Sequence, residues 1–168
     1  DPRIAGLILL AAPARNLLDI LIEQNDRILT MQGQRQSTAG IAHMDALTAQ
    51  VAAIRGKGDV AKTGTPMDQP ASYWRTVDAV DPLAEARKAP QPILILHGGH
   101  DIQVVDADWQ AWQRAFGADR RVTLKAYPNL NHLGIESAAG AGLDSYQQPG
   151  RVDATLIDDM ARWIKARP

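Results

Sequence analysis

Two residues stand where acid–base chemistry is built, each in a short loop directly after an apolar segment. Asp101 closes Gly98-Gly99-His100-Asp101, and His132 closes Asn129-Leu130-Asn131-His132. A carboxylate that accepts the Nδ1 proton of an imidazole fixes the tautomer and stabilises the imidazolium, leaving Nε2 to act as general base toward a nucleophile. The two residues are 31 apart in the chain. Their pairing therefore needs a fold that opens both loops on one edge.

The other chemistry-bearing residues fit blander roles. His97, His100 and Asp101 form a His-x-x-His-Asp cluster with zinc-like composition. Zinc needs its ligands to converge, and here His97 is expected to point along or into a sheet and His100 into solvent, so no metal site is expected. Asp106 and Asp108 precede an apolar stripe of helical spacing, where carboxylates complement the helix dipole and cap amides. Trp109, Trp112 and Phe116 form that stripe and read as core, as does Trp163; Tyr73-Trp74 and His43 read as packing or surface residues. There are no cysteines, which removes disulfides, thiolate metal sites and a Cys nucleophile. The four serines are Ser37, Ser72, Ser137 and Ser145. None lies in the G-x-S-x-G turn that exposes a serine nucleophile between strand and helix.

The elements that must position Asp101 and His132 are legible as apolar runs. Ile4 to Ala12 is continuous and closed by Pro13, which predicts a strand buried on both faces of a parallel sheet. Pro92 to His97, closed by Gly98-Gly99, and Val122 to Tyr127, closed by Pro128-Asn129, predict two more. Val122 follows Pro92 by 30 residues, the length of one βαβ unit, with Asp106 to Phe116 as the crossover helix. Ligands of such sheets sit beyond the carboxyl ends of the strands, where both loops lie. Arg151 to Arg167 carries Leu156, Ile157, Met160, Trp163 and Ile164, a broad stripe that predicts a helix on the sheet. From Asn16 to about Gln69 the texture is helical, with one loose stripe (Leu17, Leu21, Ile28) and one cleaner (Ile41, Met44, Leu47, Val51, Ile54). Gly56, Gly58 and Gly64-Thr65-Pro66 then break the pattern before a short helix at Ala71 to Ala79.

Composition narrows the class. With 168 residues the chain suits one domain, and 45% hydrophobic with 22% charged residues is ordinary for a folded protein. The net charge is −1, so no basic excess exists to neutralise phosphates, and nucleic acid is not expected as a partner. The longest apolar run, Ile4 to Ala14, is about half the 18 or more residues of a spanning helix, so no membrane span is expected. That run followed by Ala12-Pro13-Ala14 imitates a secretory signal, but a buried strand is the better reading and the compartment stays open. The chain begins at Asp1 without Met, which is read as a missing start.

The stretch PILILHGGHDIQV (Pro92 to Val104), followed by LKAYPNLNHL (Leu124 to Leu133), resembles the C-terminal end of α/β-hydrolases of the esterase, acyltransferase and serine-peptidase type. In that family the acid follows the penultimate strand in a GGxD-like loop and the histidine follows the last strand in a YPxxNH-like loop. The resemblance implies Asp101 as triad acid and His132 as triad base. It extends over nearly the whole chain, with IAGLILLAAPAR similar to the strand after the nucleophile helix, residues 16–69 to the lid, and Tyr73 to Pro92 to the return into the sheet. It departs in lacking the serine elbow and the first half of the family's sheet.

The resulting expectation is an α/β fold with about three parallel strands. Residues 1–168 are read as the C-terminal portion of one α/β-hydrolase domain, with 16–69 as a helical lid. The expected function is that of a serine hydrolase acting on a carboxylic ester or amide, with the serine outside this chain and no cofactor. The substrate-binding residues stay unassigned. The expected partners are a small-molecule substrate and either the missing N-terminal half or a second copy of the chain. The alternative is a non-catalytic binding or assembly module derived from the same fold.

Overall fold

A computed structural model describes residues 3–167 of the chain. They form two compact units, one made of the residues up to Ala14 with those from Pro82 onward, the other of Arg15–Asp81. The first is a sheet unit and the second is helical.

In the sheet unit, three parallel strands lie in the order β1 (Leu7–Leu10), β2 (Ile93–Gly98), β3 (Val122–Tyr127). Strand β2 is central, paired on both edges, and all six of its residues are buried. Its alternation divides the core. Ile93 and Ile95 face Trp109, Trp112 and Phe116 of the crossover helix, with Leu7 and Leu9 beside them. Leu94 and Leu96 face the opposite way, toward Leu130, Leu156, Met160 and Trp163, with Ile8 beside them. A period of two carries each side chain to the face where its partner waits.

Helix α6 (Asp106–Phe116) is the crossover between β2 and β3. The C-terminal helix α7 (Ala154–Lys165) is capped by Asp153, whose carboxylate accepts from Leu156 N–H at 3.0 Å. Only the narrower stripe Leu156, Met160 and Trp163 packs on the sheet, and Ile157 and Ile164 stay exposed, which corrects the broader stripe expected. The same helix is fastened to β3 by the buried Asp159, which accepts from the Tyr127 hydroxyl at 2.8 Å and pairs with Lys125 and Arg162. Lys125 above all holds the Asp159 carboxyl below the usual range. Burial, then Asp159 itself, pushes the Tyr127 hydroxyl up.

Strand β1 differs from its expectation. It covers Leu7–Leu10 rather than Ile4 to Ala12 and is half-buried, with Ile4 and Leu10 exposed. The reason is its place at the edge of the sheet, where β2 is its one strand neighbour among the described residues.

The helical unit holds α1 (Leu17–Met31), α2 (Thr38–Ile54), α3 (Val60–Thr63) and α4 (Ala71–Asp78). Asn16 caps α1 by accepting from Leu18 N–H at 2.9 Å, and Ser37 caps α2 by accepting from Gly40 N–H at 3.0 Å. Leu18, Leu47, Val51, Ile54 and Trp74 form the core. Leu17 and Ile41, placed by periodicity on the buried stripes, are exposed; Leu18 takes the inner face of α1 with Leu21 and Ile22 beside it, and Ile20 is buried as well. The unit runs to Asp81, past Gln69, because Trp74 of α4 is buried in this core and its Nε1–H donates to Pro66 O at 3.0 Å. Arg55, at the end of α2, pairs with Asp19 and Asp78, and its guanidinium holds the Asp78 carboxyl below the ordinary range. A short helix not foreseen in the sequence, α5 (Pro82–Lys88), precedes β2 in the sheet unit. Its Leu83 and Ala86 pack on the crossover-helix face.

Candidate active site

The loops after β2 and β3 meet because neither glycine of Gly98-Gly99 carries a side chain. A Cβ on Gly98 would lie 2.3 Å from Leu130 O, and one on Gly99 would lie 2.4 Å from Pro128 O. Main-chain bonds close the gap, with Gly99 N–H donating to Tyr127 O at 2.8 Å and His100 N–H to Leu130 O at 3.0 Å. The two loops are thus one interlocked structure at the carboxyl ends of β2 and β3.

Within it, His132 Nδ1–H donates to Asp101 Oδ2 at 2.9 Å. The other oxygen, Oδ1, accepts from the main-chain N–H of Gln103 at 2.8 Å and Val104 at 2.9 Å. Three donors thus aim the carboxylate, whose side chain is fully enclosed, while the His132 ring is 28% exposed. Because a carboxylate can only accept, Nδ1 carries the proton and Nε2 of the neutral ring is a free acceptor. Nε2 has no hydrogen bond to any described residue. The pair can take a proton at Nε2 and stabilise the resulting imidazolium.

Asn131, not singled out in the sequence, shapes the turn that presents His132. It is buried, and its Oδ1 accepts from Leu133 N–H at 2.9 Å and Ile135 N–H at 3.2 Å. Asparagine before a tight turn is the signal that could have found it, since its side chain mimics a backbone acceptor. Gly134, at φ 70°, completes the turn in the left-handed region. Tyr146 lies against the same structure, beside the Gln103 side chain and the main chain of Ile102 and His132, and burial pushes its hydroxyl above the ordinary tyrosine range.

The other expected residues go elsewhere. His97 is buried and stacks on Trp109, ring centroids 5.4 Å apart and planes within 6°. Burial holds its imidazole below the usual histidine range, against the opposing pull of Asp101, Asp106 and Asp108. His100 is half-buried rather than solvent-directed, and its Nδ1–H donates to Ser137 O at 2.7 Å, a second clasp between the loops. Among the described residues no three His, Asp or Glu side chains are grouped to hold a metal ion. Asp108 does more than complement a dipole. It is fully buried, and its Oδ1 accepts from Ala14 N–H at 3.0 Å, while Trp112 Nε1–H donates to Ala12 O at 2.9 Å. These two bonds tie down the segment leaving β1, where Ala11 sits at φ 49°. Ser145 Oγ donates to Gly142 O at 2.8 Å and Ser37 caps a helix, so neither is paired with His132.

No protein-family profile matches the chain. It is similar to esterase EstD of Thermotoga maritima, with 25% identity over 159 residues that cover 95% of this chain. The chain spans 37% of the length of that relative. An α/β protein with a three-stranded parallel sheet and an esterase-like relationship is what fold and similarity together define. No helix among the described residues is long and apolar enough to cross a membrane.

Proposed function

We propose that the chain supplies the acid, Asp101, and the base, His132, of a serine hydrolase that cleaves a small carboxylic ester or an amide. The serine nucleophile stands in sequence outside these 168 residues. Its hydroxyl would lose its proton to His132 Nε2 as it attacks the carbonyl carbon, and the tetrahedral intermediate would collapse as His132 returns that proton to the leaving alcohol. Water would then repeat the cycle on the acyl-enzyme. Asp101 holds the ring in the tautomer this requires. The 2.9 Å bond between Nδ1 and an enclosed, triply bonded carboxylate carries the reading. The similarity to an esterase supports it. The helical unit is proposed as the lid region of the same hydrolase, read in the sequence as 16–69.

The test is hydrolysis of p-nitrophenyl butyrate by the polypeptide that carries this chain together with a serine elbow. Turnover that vanishes in His132→Ala supports the proposal, and turnover that survives it removes His132 as the base. A reading frame without any serine elbow would favour the binding or assembly module instead.

A further inference from the structure

The helical unit contains a cavity that the acid–base pair does not use. It measures about 380 Å³ and is lined by Leu21, Ala46, Leu47, Pro66 and Met67 together with Asn25, His43, Gln50, Thr65 and Asp68. An apolar pocket with a few convergent polar groups is the usual form of a small-molecule site.

The hydrogen bonds define what those polar groups still offer. Asn25 Nδ2–H donates to Leu21 O at 2.8 Å, which turns its Oδ1 toward His43 Nε2 at 2.9 Å. An amide oxygen only accepts, so His43 carries its proton on Nε2 and presents Nδ1 as an acceptor. Gln50 spends one Nε2–H on Thr63 O at 3.3 Å, leaving its amide oxygen and a second N–H, and Thr65 Oγ1–H is spent on Gln69 O at 2.6 Å. Asp68 adds a carboxylate that no described side chain pairs. What remains on the side chains is the acceptors His43 Nδ1, Gln50 Oε1 and the Asp68 carboxylate, beside the second N–H of the Asn25 and Gln50 amides; the one charge is negative, and neither lysine nor arginine lines the cavity. One wall is held in an uncommon form, with Met67 at φ 52° and Asp68 at φ 54° in the left-handed region. Two consecutive side-chain-bearing residues there are disfavoured unless their surroundings fix them, and such places concentrate at ligand clamps.

We propose that this cavity binds a small primary ammonium compound with an apolar body. The ammonium supplies the donors that His43 Nδ1, Gln50 Oε1 and Asp68 lack, and the body lies against Leu21, Ala46, Leu47 and Pro66. A 150 Å³ apolar cavity holds benzene, so about 380 Å³ accommodates a ligand of roughly ten to fifteen non-hydrogen atoms. The proposal is independent of the ester-cleaving reading, because no residue of the Asp101–His132 pair takes part.

The test is an amide-shift titration of the whole 168-residue chain with 2-phenylethylamine at neutral pH, alongside phenylacetate and 2-phenylethanol. Saturable shifts confined to residues 21–25, 43–50 and 65–68 are expected from the amine, with weaker binding of the alcohol and none of the acid. Asp68→Asn is expected to weaken the amine about fivefold, as the loss of one partly solvated charge contact. Ala46→Trp, at an exposed helix position, is expected to block the cavity with the helical circular dichroism unchanged. Should that variant misfold, Asp68→Asn decides. No saturable shift, shifts outside these residues, phenylacetate binding as tightly as the amine, or an Asp68→Asn variant that binds like the parent would each overturn the proposal.

Discussion

Oδ2 of Asp101 and Nδ1 of His132 stand 2.9 Å apart, and the other carboxylate oxygen is anchored by two main-chain amides of its own loop. The imidazole is thus oriented from a fixed point. Replacing Asp101 by Asn keeps the shape but places an amide where an acceptor for Nδ1–H is needed. In the complete hydrolase this is expected to lower kcat by roughly three to four orders of magnitude through the wrong tautomer. Stopped assays on p-nitrophenyl butyrate measure it, and a loss under tenfold would contradict the assigned role. The isolated chain is expected to take no label from a fluorophosphonate probe.

Gly98 gives a steric test of the same arrangement. A methyl group there would lie 2.3 Å from Leu130 O, a main-chain atom with no flexible side chain to give way. Gly98→Ala is expected to push the two loops apart and to destabilise the fold by about 1 to 3 kcal/mol, the usual cost of overpacking. In nitrogen-15 spectra of the imidazoles, His132 Nδ1 would lose the signature of a proton held by a carboxylate. A variant that melts like the parent with that signature intact would mean the loops are not interlocked as described.

His97 makes stability depend on pH. Its imidazole is held below the usual range by burial, so the unfolded chain binds the proton more readily. Stability from this site is therefore complete above the unfolded value of about 6.5 and is lost as pH falls through it toward the lower folded value. Urea midpoints are expected to drop between neutral pH and mildly acidic pH, and His97→Phe, which keeps a ring against Trp109, is expected to flatten that slope. The carboxyls of Asp78 and Asp159 lie below their usual range, so their contributions fade only at more acidic pH. An unchanged slope in His97→Phe would assign the effect to another group.

What the sequence disclosed and what it hid have physical reasons. Strand β2 was legible because a central parallel strand is apolar throughout, and the pairing of Asp101 with His132 followed from parallel strands ending in adjacent loops. The inner face of α1 was not, because Leu17 and Leu18 are both apolar and only the packing against Leu47, Val51 and Trp74 selects Leu18. The roles of Asn131 and Asp108 depend on main-chain amides distant in sequence or hidden in a turn, which no periodicity reports. Buried acceptors of this kind appear only once the chain has closed around them.

Asp108 yields a prediction of its own. Its carboxylate is fully buried and accepts from Ala14 N–H, 94 residues away. Asp108→Ala leaves that amide enclosed without its acceptor, a loss expected to cost about 1 to 3 kcal/mol. Asp108→Asn keeps an acceptor oxygen and is expected to cost less. Equal denaturation midpoints for Ala and Asn would show that the bond to Ala14 contributes nothing.

The edge strand β1 leads to the last expectation. Its Leu7–Leu10 backbone pairs with β2 on one side, and among the described residues no strand pairs its other side. Leu10 is 43% exposed and Ile4 is 44% exposed, so the edge offers both unpaired amides and apolar surface. Such an edge is a template for another chain unless charge, proline or a covering element blunts it, and Leu7–Leu10 carries neither charge nor proline. Burying one exposed leucine side chain is worth roughly 1.5 kcal/mol or more, and several together rival the marginal stability of a small domain. The isolated chain is therefore expected to associate through β1 at micromolar concentration, either with a separately supplied remainder of the hydrolase or with a second copy. Light scattering should give a mass above 18.2 kDa that falls toward it with dilution. Leu10→Lys, which places a charge on the edge without touching the core, should favour the monomer. A monomer at every concentration, melting sharply and cooperatively well above room temperature, would mean that this edge needs no partner.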